Sequence, residues 1–208
     1  MLVRVNELKA VLQFAGNKDI RWYLNGIYIE TGPLGARLVA TDGHIMGIMN
    51  IPGKFPEASI IVPRHLIDNL KIAKRGPQEI EIDFLPGNLS DASPSQLRDV
   101  VVTDQQGSIN IAKELDGKFP DYRRVVPEKA SGEPAQFNPE LLMRVQKACQ
   151  LLGDKNFAVG YNGSNPSFSV CQNLVMVIMP WRQEDKFAMV TPDWIQAPLV
   201  KEPKREAA

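Results

Sequence analysis

One order of elements, a helix followed by three strand-like runs, recurs three times along the chain and limits what it can fold into. Each copy takes roughly 50 to 65 residues, and a unit that small cannot bury both faces alone, so the copies must stack. The first copy begins with a helix over Asn6 to Ala15, with Asn6 as its cap and Leu8, Val11, Leu12 and Ala15 at helical spacing. Gly16-Asn17-Lys18-Asp19 ends it, and strands follow at Trp22 to Glu30, Ala36 to Thr41 and His44 to Ile51. Asp42-Gly43 between the last two suits the positive backbone angles of a tight hairpin.

The second copy opens with a strand at Ser59 to Val62. A helix then runs from Arg64 to Lys74, with Pro63 in its first turn and Leu66, Ile67, Leu70 and Ala73 on one face. Strands at Ile80 to Leu85, Val100 to Asp104 and Ser108 to Lys113 complete it, and Pro86 to Arg98 reads as a polar loop inserted in a hairpin. The third copy has a helix capped at Asn138-Pro139 and running to Leu151, with Gly153 as its stop. Its strands are predicted at Asn156 to Tyr161, Pro166 to Gln172 and Leu174 to Pro180. A Pro-rich tail from Glu184 to Ala208 is expected to be disordered beyond Val200.

Composition narrows the function classes. With 24 basic and 24 acidic side chains the net charge is zero, which argues against gripping nucleic acid through a broad positive excess but leaves room for local basic stripes. The two cysteines, Cys149 and Cys171, form no C-x-x-C pair, so neither a disulfide framework nor a zinc site is expected. No apolar run approaches the roughly 20 residues that span a bilayer, and the first residues lack a signal-peptide core. The expectation is a cytoplasmic protein with no membrane contact and no cofactor.

No catalytic signature is present: G-x-S-x-G, G-x-x-x-x-G-K-S/T and H-E-x-x-H are all missing. Asn17-Lys18 is half of a guanine-reading string without its Asp or a phosphate loop. His44 and His65 lie in different copies, where a hairpin turn and a helix start account for them better than a general base does. Nor is a carboxylate cluster evident that would hold metal for a hydrolase. The chain therefore reads as a binding protein, not an enzyme. Arg21-Trp22-Tyr23 reads from composition as an edge strand with aromatic cross-strand pairs, the alternative being a basic, aromatic loop that stacks on bases.

Longer strings carry more information. Arg21-Trp22-Tyr23-Leu24-Asn25-Gly26-Ile27, Ala40-Thr41-Asp42-Gly43-His44 and Ser59-Ile60-Ile61-Val62-Pro63-Arg64 are followed by Asp116 to Val125 and by Val177-Ile178-Met179-Pro180-Trp181-Arg182. In this order they resemble the bacterial DNA polymerase III beta subunit, the sliding-clamp family, over roughly residues 2 to 183 of a shortened form. The resemblance implies an α+β DNA-clamp (processivity-fold) architecture, with antiparallel sheets outside and helices on one face. Residues 1–127 would be a complete middle domain, with halves of about 1–57 and 58–127. Residues 128–183 would be the second half of the last domain, and 184–208 would lie beyond the family's pattern.

By the same resemblance, partners insert a short apolar peptide into a groove matched here by Leu24, Thr41, Gly43 and His44, by Pro120, Arg124 and Val125, and by Val177, Ile178, Met179 and Pro180. Sliding contacts with double-stranded or primed DNA fall to Lys9, Arg21, Trp22 and Tyr23, to Arg64, His65, Lys71, Lys74 and Arg75, and to Arg144 and Lys147. For any single Lys the plainer reading is a solvated helix face. The implied partners are a DNA polymerase, a clamp loader or repair proteins, together with further copies of the chain in a homo-oligomer. Ile45 stands where the family usually has Arg, Trp181 where Met is common, and Phe187, Trp194 and Ile195 extend past its usual end. That tail is expected to fold over the groove. The competing function is a non-encircling peptide-binding adaptor or decoy that competes with a full-length clamp.

Overall fold

The computed structural model describes residues 1–72, 78–85, 97–181 and 195. In the first copy, β1 (Leu2–Arg4) leads into α1 (Val5–Leu12), and β2 (Gly26–Gly32), β3 (Gly35–Thr41) and β4 (Ile45–Ile51) follow. The second has β5 (Ala58–Pro63), α2 (Arg64–Asp68), β6 (Glu79–Leu85), β7 (Asp99–Thr103) and β8 (Ile109–Lys113). The third has α3 (Pro139–Leu151), β9 (Ser167–Cys171) and β10 (Leu174–Ile178).

All pairings between these strands are antiparallel, and the chain is α+β. The strands form two sheets, ordered β1-β6-β7-β8 and β5-β2-β3-β4-β10-β9. The leading strands are exchanged: β1 precedes α1 yet pairs with β6, while β5 precedes α2 yet pairs with β2. This exchange sews the first two copies into one body. The third copy joins by extending a sheet, its β10 lying along β4.

Strand periodicity sends alternate residues to opposite faces, and in the longer sheet both faces are covered. Ile27 and Ile29, Leu38 and Ala40, Ile60 and Val62, and Met176 and Ile178 enter the helix-side core. There they meet Leu8, Val11, Leu12 and Phe14 of the first copy and Val145, Ala148 and Cys149 of α3. Tyr28, Val39, Ile61 and Val177 point the other way, where Leu115, Phe119 and Tyr122 cover them. Each fully buried aliphatic side chain contributes about 1.5–3 kcal/mol, so this two-sided burial holds the longer sheet.

Several expected boundaries move. The first helix starts at Val5 and not at Asn6, because the Glu7 carboxylate reaches back to accept from the Arg4 N–H at 3.3 Å. Trp22–Leu24 is a 3-10 turn and not the start of a strand; Leu24 N–H donates to Arg21 O at 2.8 Å and Asn25 N–H to Trp22 O at 3.0 Å. The edge-strand reading of Arg21-Trp22-Tyr23 is thereby overturned. The second helix is a single short piece, Arg64–Asp68, with Pro63 at its cap; Leu66, Ile67 and Leu70 are buried as expected. Residues 156–161 form no strand but only one bridge, between Gly160 and Phe168. Ala73, Lys74 and Arg75, and residues 86–96 of the inserted loop, lie outside the described residues, as does the tail apart from Ile195.

The third helix matches its sequence signals. Asn138 accepts from the Glu140 N–H at 2.9 Å, Pro139 occupies the first turn, and Gly153 adopts φ +95 at the end. Both cysteines are buried and free.

Gly47, in the middle of β4, has a different reason to be glycine: the Phe14 ring lies where its Cβ would be. Gly47→Ala should therefore cost about 1–3 kcal/mol of stability by overpacking. Urea unfolding should also show Phe14→Leu in the Gly47→Ala background recovering part of that loss.

Candidate functional site

The hairpin between β3 and β4 is shaped by its own side chains. Asp42 Oδ1 accepts from the His44 N–H at 2.8 Å and the Ile45 N–H at 3.1 Å. Thr41 Oγ1 accepts from the Gly43 N–H at 3.0 Å and donates to Ile45 O at 2.8 Å. Gly43 sits at φ +94, a conformation that L side chains rarely adopt. The turn is clamped from two sides: Arg21 Nη2 donates to Asp42 O at 2.8 Å, and Arg144 of α3 donates to Asp42 Oδ2. Asp19 orients Arg21 through paired bonds of 3.0 and 2.7 Å, and that hydrogen bonding draws the Asp19 pKa down to about 2. Burial opposes ionisation of Asp42, but bonds from Arg144 and the His44 N–H outweigh it and leave its pKa below the ordinary value.

Beside this hairpin lies β10. Its pairing runs from Leu174↔Met49 to Ile178↔Ile45 and continues into the turn, where the Met179 N–H donates to His44 O at 2.9 Å. The third wall is the segment after β8. Tyr28 stacks on Phe119 with centroids 4.8 Å apart. The Tyr122 hydroxyl donates to Glu30 at 2.9 Å, and Arg123 lies over the Tyr122 ring while pairing with the same Glu30. Trp22 Nε1 donates to Asp116 O at 2.9 Å, tying the 3-10 turn to this wall.

Between the three walls is a cleft of about 230 Å³ with a mostly apolar lining. Of the expected groove residues, Leu24, Thr41, Gly43, His44, Pro120, Val125, Val177 and Met179 line it. Ile178 does not; alternation along β10 turns it into the helix-side core, where it is fully buried. Arg124 is exposed and Pro180 half-buried, both away from the lining. Arg21 and Tyr23, expected at DNA, also line the cleft, together with Ile45, Met46, Phe119, Asp121 and Tyr122. Met46 and Phe119 could have been found by extending the strand alternation and the stacked wall; Asp121 carries no signal of its own. Ile45, where the family usually has Arg, is 1% exposed and offers no polar group.

The residues expected at DNA divide into two groups. Arg64 donates to Asp68 at 3.1 Å and to the carbonyls of Ala15 and Gly16. Arg144 is spent on Asp42 and on Gln13 O at 2.7 Å, and Lys9 donates to Asp68 O at 3.0 Å. Burial pulls the Lys9 pKa below its ordinary value. His65, Lys71 and Lys147 are exposed, with no ion-pair partner among the described residues. Trp22 is exposed but tethered at its indole nitrogen. Lys74 and Arg75 lie outside the described residues, as do Phe187 and Trp194 of the expected lid.

The family model described as "DNA polymerase III beta subunit, central domain" matches residues 4–121. The chain belongs to this family. The beta sliding clamp of Vibrio cholerae is 30% identical over 160 residues, covering 76% of this chain and 40% of its own length. That of Escherichia coli K12 is 30% identical over 144 residues, covering 68% and 36%. For Salmonella typhimurium the identity is 33% over 115 residues, covering 54% and 28%. The chain thus spans between about a quarter and two fifths of these clamps. The DNA polymerase sliding clamp of Pseudomonas aeruginosa shares the fold at TM-score 0.61 and 17% identity, over 88% of this chain and 66% of that one.

The Asp42–Arg144 pair gives this beta-subunit family member a pH signature. A carboxyl whose pKa falls on folding contributes stability above the ordinary value near 3.9 and loses it as pH drops through the folded value. Wild-type melting temperature should therefore fall more steeply below about pH 4 than that of Asp42→Asn, as differential scanning calorimetry would show. At neutral pH, Arg144→Met should cost about 1.5–3 kcal/mol, because Asp42 is left half-buried without its cation.

Proposed function

We propose that the chain is a clamp-type accessory factor of DNA replication: it docks short peptides of polymerases, clamp loaders or repair proteins in this cleft, and it carries out no chemistry itself. The observation that carries this reading is the meeting of three apolar walls, from the β3–β4 hairpin, β10 and the segment around Phe119 and Tyr122. A cleft with an aliphatic floor at Val177 and Met46, and a polar rim at His44 and Arg21, suits a Leu or Phe anchor with a few backbone contacts. In this reading residues 1–127 act as the family's middle domain and 128–183 as the second half of its last domain, in the cytoplasm. Contacts with DNA are weak, non-specific and made to phosphates, through Lys71, Lys147 and His65.

A second reading is favoured by one observation: Arg64 and Arg144 spend their guanidinium groups on internal partners. With fewer cations left for phosphates, a non-encircling adaptor that competes with a full-length clamp keeps the cleft and gives up the DNA. Retention on primed circular DNA separates the two.

Peptide docking itself is tested by fluorescence anisotropy with a short peptide carrying adjacent Leu and Phe anchors. Met179→Glu, at the half-buried lip, should weaken binding by about tenfold or more, which is roughly 1.4 kcal/mol, while leaving the melting temperature near wild type. Peptide affinity unchanged in Met179→Glu would end the reading.

A further inference from the structure

The exchange of leading strands relates the first two copies by a pseudo-two-fold: β1 corresponds to β5, α1 to α2, and β2, β3, β4 to β6, β7, β8. Under that relation the last strands β4 and β8 are equivalents. β4 is covered along its outer side by β10, whereas β8 has a strand on one side only among the described residues.

Hydrogen-bond direction sharpens the contrast. The Asp104 N–H donates to Ser108 O at 3.0 Å and the Glu114 N–H to Arg98 O at 2.9 Å. Antiparallel ladders alternate, so in the register Val102↔Asn110 and Val100↔Ala112 the even-numbered residues of β8 face β7. Ile109, Ile111 and Lys113 therefore direct their N–H and C=O groups outward. The side chains of Ile109 and Ile111 are each 60% exposed on one face of the strand. An open edge carrying apolar side chains is a template for another strand.

Other edges are already engaged. The outer side of β9 is bridged by Gly160, which exchanges bonds of 2.7 and 3.3 Å with Phe168. That of β5 is met by the Leu115 N–H on Ile61 O at 2.9 Å. β1 is three residues long, against five for β8.

We propose that β8 pairs antiparallel with β8 of a second copy, about a two-fold axis at Ile111. The register that satisfies the outward groups sets Ile111 opposite itself and Ile109 opposite Lys113 of the second copy. Ile109 and Ile111 of both copies then form one apolar patch across the junction. The two Lys113 ammonium groups stay roughly 13 Å apart along the strands, each beside its own Asp99 at 2.9 Å. The joint is last strand to last strand, the geometry already made within the chain by β4 and β10. Isologous pairing of this kind closes after two copies. It does not depend on peptide docking: mass reports the dimer and peptide affinity reports the cleft.

Sedimentation of the full chain from about 10 µM to 1 mM should show a monomer–dimer equilibrium, as suits a small interface. Ile111→Lys, at an exposed position, should leave circular dichroism and melting temperature unchanged and shift dissociation by at least tenfold. Directly opposed residues in such a pair have Cα atoms about 5.5 Å apart, within disulfide range. Mild oxidation of Ile111→Cys should accordingly give a covalent dimer that the wild type, with both thiols buried, does not. A monomer at every concentration, a dimer that survives Ile111→Lys, or an Ile111→Cys chain that stays unlinked while Val170→Cys, at an exposed position on β9, cross-links would each overturn the proposal.

Discussion

Five residue pairs join β10 to β4, and they bring the β10 wall of the cleft beside the hairpin. The first two copies interlock through exchanged strands. The third copy has no such exchange. It contributes one helix and one hairpin, and it meets the rest through the β4 edge, the contact of α3 with α1, and Arg144. Backbone pairing sets the register, so Val177 and Met179 face the cleft while Met176 and Ile178 face the helices. A slip of one residue would reverse all four.

Arg144 makes that junction specific. Its guanidinium reaches the carbonyl of Gln13, just past the end of α1, and the carboxylate of Asp42 in the hairpin turn. A helix C-terminus leaves carbonyls unpaired, so a cation there is favoured twice, by hydrogen bonding and by the helix dipole. Asp42 meanwhile holds the His44 and Ile45 N–H groups. One side chain of the third copy thus braces the turn that forms part of the cleft rim. This explains why a residue that reads from sequence as a sliding phosphate contact is spent inside the protein.

Much of the architecture was legible because its signals are local. Apolar, strand-like runs in β2, β3, β4 and β10, the Asn138-Pro139 cap and the Asp42-Gly43 turn each name an element without reference to the rest. What could not be read depends on contacts distant in sequence. Trp22–Leu24 has the aromatic, apolar composition of a strand, yet its backbone bonds close locally and its indole is held by Asp116. The short second helix carries a longer apolar pattern than its described length. Among cleft residues, the hairpin and β10 positions were those implied by the resemblance to the beta-subunit family. Ile178 was misplaced because a contiguous motif ignores the two-residue period that sends neighbours to opposite faces.

The charge distribution ties these threads together. A chain with equal numbers of acids and bases could still present a basic helix face, but here the pairing is internal and selective. Arg21, Arg64 and Arg144, the three arginines nearest the hairpin and the end of α1, each have a carboxylate and at least one backbone carbonyl. Among the described residues expected at DNA, the exposed lysines Lys71 and Lys147 remain, on flexible stems. Guanidinium forks suit fixed multidentate bonding, whereas ammonium groups act as mobile point charges. The division assigns rigid cations to building the cleft and leaves mobile ones for any contact with a polyanion, so the cleft should tolerate salt better than any association with DNA does.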